Sequence, residues 1–177
     1  MQIHYFGLSS FKITTKDATV ITDPFDKESG LLSPRGAADI IILSEKTNKL
    51  YSATSGFSGE PFLMNDPGDY DLKGITVTGI PLKQEGDQSK DGKPRYVTAT
   101  LIEAEDMRIL NLNHIRTFSM KEDDLDALGE IDILILPVGG NSVMTAKDAS
   151  KIEHEIEPNI VISSHYATAG LELPYET

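Results

Sequence analysis

Four consecutive apolar residues, Ile40 to Leu43, stop abruptly at Ser44 and give way to a polar stretch, Glu45-Lys46-Thr47-Asn48-Lys49. The run is too short and too β-branched for a helix, so it reads as a strand covered on both faces. Such a strand belongs inside a layered α/β structure. In open α/β layers, ligands collect where strands of this kind end. The segment from Ser44 onward is therefore the first place to look for a site.

The flanking sequence supports layers of short strands. Gln2 to Phe6, Ser10 to Thr14 and Thr19 to Thr22 read as a meander, with Gly7 as a break and Asp23-Pro24 as its end. Lys27 to Ala37 and Asn48 to Gly59 read as loops. A short strand is expected at Pro61 to Met64, a turn at Asp66 to Tyr70, and a strand at Ile75 to Ile80. Lys83 to Pro94 is polar with two glycines, which predicts an exposed connection. Tyr96 to Ile102 and Arg108 to Leu112 should pair across a turn at Glu105-Asp106. Ser119 and Glu122 have capping-box spacing, predicting a helix that Gly129 closes. Ile131 to Val138 is the strongest buried strand. Thr145 caps a second helix bearing Ala149, Ile152 and Ile156, and Ile160 to Ser163 is the last strand, ending at His165.

Composition narrows the function classes. The 177 residues carry a formal net charge of −12, which disfavours unaided contact with nucleic acid or an anionic membrane. With no cysteine there is neither a disulfide framework nor a thiolate metal site. The opening Met1 to Phe6 lacks a basic segment leading into a long apolar one, and no apolar run approaches the roughly 20 residues of a membrane span. A cytoplasmic protein forming one domain over residues 1–177 is expected.

Four segments match landmarks of a known family, in the same order along the chain. Tyr5-Phe6-Gly7-Leu8-Ser9-Ser10-Phe11 is similar to a Gly-His-Ser-x-Phe start, with Leu8 in the place of His. Ile21-Thr22-Asp23-Pro24 resembles an Asp-Pro element. Asp66-Pro67-Gly68-Asp69-Tyr70 resembles a Pro-Gly-Glu-Tyr segment, and Ile131 to Gly140 resembles an Asp-Val-Leu-x-x-Pro-Val-Gly-Gly strand. Together these segments resemble the metallo-β-lactamase superfamily, specifically its small metal-dependent hydrolases, and the resemblance implies a four-layer αββα sandwich in a compact version with two mixed sheets.

It also implies a two-metal hydrolytic centre, and there this chain departs. Glu45, Thr47, Lys49 and Leu50 stand where the family carries His-x-His-x-Asp-His. Gln84 stands at a further His, and His114 at the bridging Asp; of these seven positions only His165 matches a ligand. The vestigial pocket is thus expected to comprise Asp23, Glu45, Thr47, Lys49, Asp69, Gln84, His114 and His165, with no metal and no catalytic residue. Lys49 or Lys46 is expected to supply the missing positive charge opposite Asp23, Glu45 or Asp69, because buried carboxylates need a counter-charge. Three functions remain open. One is a catalytically inactive pseudo-hydrolase that binds a small molecule or a protein partner. Another is a hydrolase using zinc or another divalent metal at an altered site around Glu45, His114 and His165. The third is an inactive subunit that pairs with a relative, or with its own copy as a homo-oligomer. Ser164-His165 offers no nucleophile–base pair, because neighbours in a strand point to opposite faces.

Overall fold

The computed structural model describes residues 1–88, 92, 94–117 and 127–175, without the side chains of 85–88. Its strands are β1 (Gln2–Gly7), β2 (Ser10–Thr14), β3 (Thr19–Thr22), β4 (Gly36–Ala37), β5 (Ile40–Ile42), β6 (Phe57–Ser58), β7 (Phe62–Met64), β8 (Gly68–Leu72), β9 (Ile75–Gln88), β10 (Pro94–Ala104), β11 (Met107–Asn111), β12 (Ile133–Pro137) and β13 (Ile160–Ser164). A helix, α1 (Ala146–Ile156), precedes β13. One sheet has the order β1-β2-β3-β5-β7 and the other β13-β12-β11-β10-β9-β8. Both are mixed: antiparallel hairpins at the start of each sheet pass into parallel neighbours at β3–β5–β7 and β11–β12–β13.

Strand alternation explains how the layers hold together. On β5, Ile40 and Ile42 point into a core shared by both sheets, while Ile41 points the other way, to Ile21, Ala38 and Leu43. On β12, Ile133 and Ile135 join the shared core, and Leu134 and Leu136 face α1 with its Ala149 and Ile152. Each strand thus glues two layers, and each buried Ile or Leu contributes about 1.5–3 kcal/mol of transfer free energy. The hairpin turns follow their residues. Glu105-Asp106 links β10 to β11 and Lys73-Gly74 links β8 to β9, each pair with positive φ throughout, the conformation that matches strand twist.

The helix begins where its cap predicts, with the Thr145 hydroxyl accepting from the Asp148 N–H at 3.2 Å. It ends at Glu157 in the left-handed conformation.

Several expectations need correcting. Over Lys83 to Pro94, where an exposed loop or a hairpin connection is expected, β9 continues to Gln88 and pairs antiparallel with β10, so the described residues take the hairpin form rather than the loop. Asp69 and Tyr70 lie in β8 rather than in a turn. The reading of Lys27–Ala37 and Asn48–Gly59 as loops missed β4 and β6, which pair in parallel. The helix expected from Ser119 lies outside the described residues, except for Ala127 and Leu128 at its end. Among the described residues α1 covers the outer face of the second sheet. The outer face of the first meets Phe57 of the β4–β6 ribbon rather than an α-helix.

Candidate functional site

The ends of four strands meet at one edge of the two sheets. β3 delivers Asp23, β5 delivers Ser44 and Glu45, β11 leads through Asn111 to His114, and β13 delivers His165. Asp23, Asn113 and His165 take positive φ of 36°, 54° and 58°. Non-glycine residues seldom do so, and such strain persists only where surrounding contacts over-determine it.

A continuous polar chain runs through this edge. The Ser44 N–H and hydroxyl both donate to the Asp23 carboxylate, at 2.8 and 2.6 Å. His114 Nδ1 lies 3.1 Å from Ser44 Oγ and 3.4 Å from Asp23 Oδ2, and its Nε2 lies 3.1 Å from Glu45 Oε2. Arg95 closes the chain, donating to both Glu45 oxygens from Nε at 2.9 Å and Nη2 at 2.7 Å. This bidentate fork is the strongest arrangement of its kind.

The electrostatics follow from the contacts. Burial alone would push the His114 imidazole down, but hydrogen bonds to Asp23 and Glu45 outweigh it and hold the pKa above its ordinary value. Burial would likewise raise the Glu45 carboxyl, yet His114 and Arg95 draw it well below the usual carboxylate range. His114 thus lies between two carboxylates that favour its charged form, with Nε2 facing Glu45 and Nδ1 facing Ser44 and Asp23.

His165 differs. It is fully buried, and burial first and the charge on His114 second push its pKa well below the ordinary value, so it is neutral. Its Nε2 lies 3.3 Å from the Tyr51 hydroxyl, which is also 3.3 Å from the Tyr175 hydroxyl. Its Nδ1 lies 3.3 Å from Ser164 Oγ. That contact corrects the expectation from alternation: β13 ends at Ser164, and the left-handed φ of His165 turns its ring back.

The remaining expected residues divide. Gln84 is buried, its Oε1 accepting from the Arg116 N–H at 2.8 Å while Nε2 has no partner among the described residues. Thr47, Lys49 and Asp69 are exposed, and their side chains make no hydrogen bond or ion pair among the described residues. Lys46 reaches Asp66, at 2.6 Å, on the surface. The counter-charge expected from Lys49 or Lys46 is supplied instead by Arg95 and His114. Arg95 and Tyr51 went unremarked in the sequence. The only available signal was that Glu45, next to a buried strand end, required a cation.

This donor set does not suit a divalent cation. Both nitrogens of His114 face acceptors, both oxygens of Glu45 bind a guanidinium, and Asp23 is occupied by Ser44. Among the described residues no three His, Cys, Asp or Glu side chains are gathered to hold an ion. Leu8 and Leu50, at two positions where the family pattern has His, pack with Phe25 and Tyr51 in an apolar cluster.

Comparison with known proteins bears on kinship. Residues 2–165 match the beta-lactamase superfamily domain. A protein of Lysinibacillus sphaericus named metal-dependent hydrolase is 28% identical over 199 residues, covering 95% of this chain and 86% of its own length. One of Bacillus subtilis with the same description is 24% identical over 203 residues, covering 95% and 86%. Among solved structures, a Thermotoga maritima protein assigned as a Zn-dependent hydrolase of the metallo-β-lactamase superfamily superimposes with a TM-score of 0.78. It is 24% identical and covers 98% of this chain and 80% of that one. The chain belongs to the metallo-β-lactamase superfamily and is of its small metal-dependent hydrolase type.

Proposed function

We propose that this chain is a pseudo-hydrolase, a member of the superfamily whose pocket is balanced by its own side chains and which acts by binding a small molecule or a protein. The observation that carries this reading is the chain Arg95–Glu45–His114–Ser44–Asp23. In it an imidazolium and a guanidinium face the two carboxylates that a metal centre would otherwise draw on. A divalent cation entering there would have to displace Arg95 and deprotonate His114. The test is elemental analysis of protein purified without chelator, followed by titration with zinc, iron and manganese. The expected content is well below stoichiometric, with no saturable uptake. One or two equivalents retained through dialysis, and lost from a His114→Gln variant, would sink the reading.

A second reading has its own support, because relatives spanning nearly the whole chain are named metal-dependent hydrolases. It is a hydrolase with an altered site around Glu45, His114 and His165, using zinc or another divalent metal. Kinship favours this reading and the local donor geometry favours the first. Stoichiometric metal together with metal-dependent ester hydrolysis would decide for the second.

A further inference from the structure

A cavity of about 270 Å³ opens on the outer side of Phe25, two residues beyond Asp23. Three segments wall it. The first is Phe25-Asp26, the second Ser33-Pro34-Arg35, and the third runs from Ala53 to Gly56. They are tied together: the Ala53 N–H donates to Pro24 O at 2.8 Å, and the second and third lead directly into the paired strands β4 and β6. Gly56 sits where a Cβ would fall 3.0 Å from Pro34 O, so the two loops meet in close contact. The walls are thus framed by backbone rather than held open by side chains alone.

The chemistry of the lining is specific. Phe25 is fully buried beneath the cavity, and Pro34 and Ala53 give the lining its apolar part. The Arg35 guanidinium and the Ser33 and Ser55 hydroxyls have no hydrogen-bond or ionic partner among the described residues. Asp26 uses Oδ1 to accept from the Glu28 N–H at 2.8 Å, leaving Oδ2 available. Asp26 and Arg35 line the same cavity, yet no ion pair joins them. The residues lining one cavity therefore carry an anion, a cation, two hydroxyls and apolar surface. That is the pattern of a small-molecule site, in which a few convergent polar groups fix orientation over an apolar floor.

We infer that this cavity is a binding site for a small zwitterion of α-amino-acid size. The ligand's carboxylate meets Arg35 and the two hydroxyls, its ammonium meets Asp26, and its side chain lies against Ala53 and Pro34. A ligand of one sign would bring its charge against Asp26 or against Arg35, whereas a zwitterion satisfies both. The volume accommodates about nine groups of water size, at about 30 Å³ each, which suits a branched apolar amino acid. The inference gives a ligand class to the proposed binding role without depending on the state of the metal centre. A failed titration and an unexpected metal content are separate results.

The test is titration of the full chain with L-leucine, followed by calorimetry and by amide shifts in NMR. 4-Methylpentanoate and 3-methylbutylamine serve as the carboxylate-only and ammonium-only analogues. Saturable binding is expected, with a dissociation constant below about 1 mM and with each analogue weakened at least about tenfold. Shifts should centre on residues 25–35 and 53–56. Arg35→Gln should remove the preference for leucine over the amine. Asp26→Asn keeps the oxygen that accepts from Glu28 and should remove the preference over the acid. Three outcomes would overturn the inference: no saturation at 10-fold higher concentration, shifts centred elsewhere, or leucine affinity unchanged in both variants.

Discussion

Tyr51 lies flat against His114, with ring centroids 4.3 Å apart and planes 17° from parallel. The phenol face thus covers the imidazole and favours its charged form, as do the two carboxylates at its edges. At its other end the same side chain reaches His165 and Tyr175. Tyr51 therefore joins the charged half of the site to the neutral half.

Removing only the hydroxyl separates these roles. Tyr51→Phe keeps the stacking and should cost about 1 kcal/mol, whereas Tyr51→Ala also opens a cavity and should cost about 3–5 kcal/mol. Urea unfolding of the two variants measures the difference. Equal losses would show that stacking contributes nothing.

The pH dependence has a definite sign. His114 is raised in the fold, so its contribution is complete below the unfolded value of about 6.5 and is lost as pH rises through the folded value. Glu45 is depressed, so its contribution is complete above the unfolded value of about 4.3 and is lost as pH falls through the folded one. His165 is depressed instead, so its contribution is complete above about 6.5 and is lost as pH falls below that value. The urea midpoint should therefore be highest at about pH 6.5 and decline on both sides, the alkaline decline belonging to His114. His114→Gln should flatten that decline. A wild-type midpoint constant from about pH 6 to 9 would contradict the assignment of charge.

Arg95 and Glu45 should be coupled. Glu45 is largely buried while Arg95 is about one-third exposed, so solvent discounts the pair below a fully buried one. Arg95→Met should cost about 1–2 kcal/mol, and adding Glu45→Gln should restore part of it by removing the stranded charge. Additive losses in the double-mutant cycle would mean the fork carries no energy of its own.

Gly139 has a steric role. A Cβ there would overlap the carbonyl oxygen of His165, which is backbone and cannot swing aside. Gly139→Ala should destabilise the chain by about 3 kcal/mol and disturb the His165 ring signals in NMR. A neutral substitution would show that the β12–β13 ends are looser than described.

Local pattern was enough wherever one segment carried its own instructions. The apolar run at Ile40 to Leu43, the strand before Pro137 and the Thr145 cap were all legible, because side-chain period and capping chemistry act within a few residues. The presence of His114, Glu45 and Asp23 near one edge was legible through family landmarks. Their partners were not. Arg95 lies 50 residues from Glu45, His114 lies 91 from Asp23, and Tyr51 lies 114 from His165.

The sequence by itself thus determined most of the strands and which residues follow β5 at the site, Glu45, Thr47, Lys49 and Leu50. Only the tertiary structure decided which cations face the pocket carboxylates. An ion pair is chosen by distance and burial in three dimensions, and chain order shows neither. Lys46 and Lys49 were nearest to Glu45 in sequence. Pairing of β9 with β10, in the sheet that packs beneath the Ser44 loop, delivered Arg95 instead.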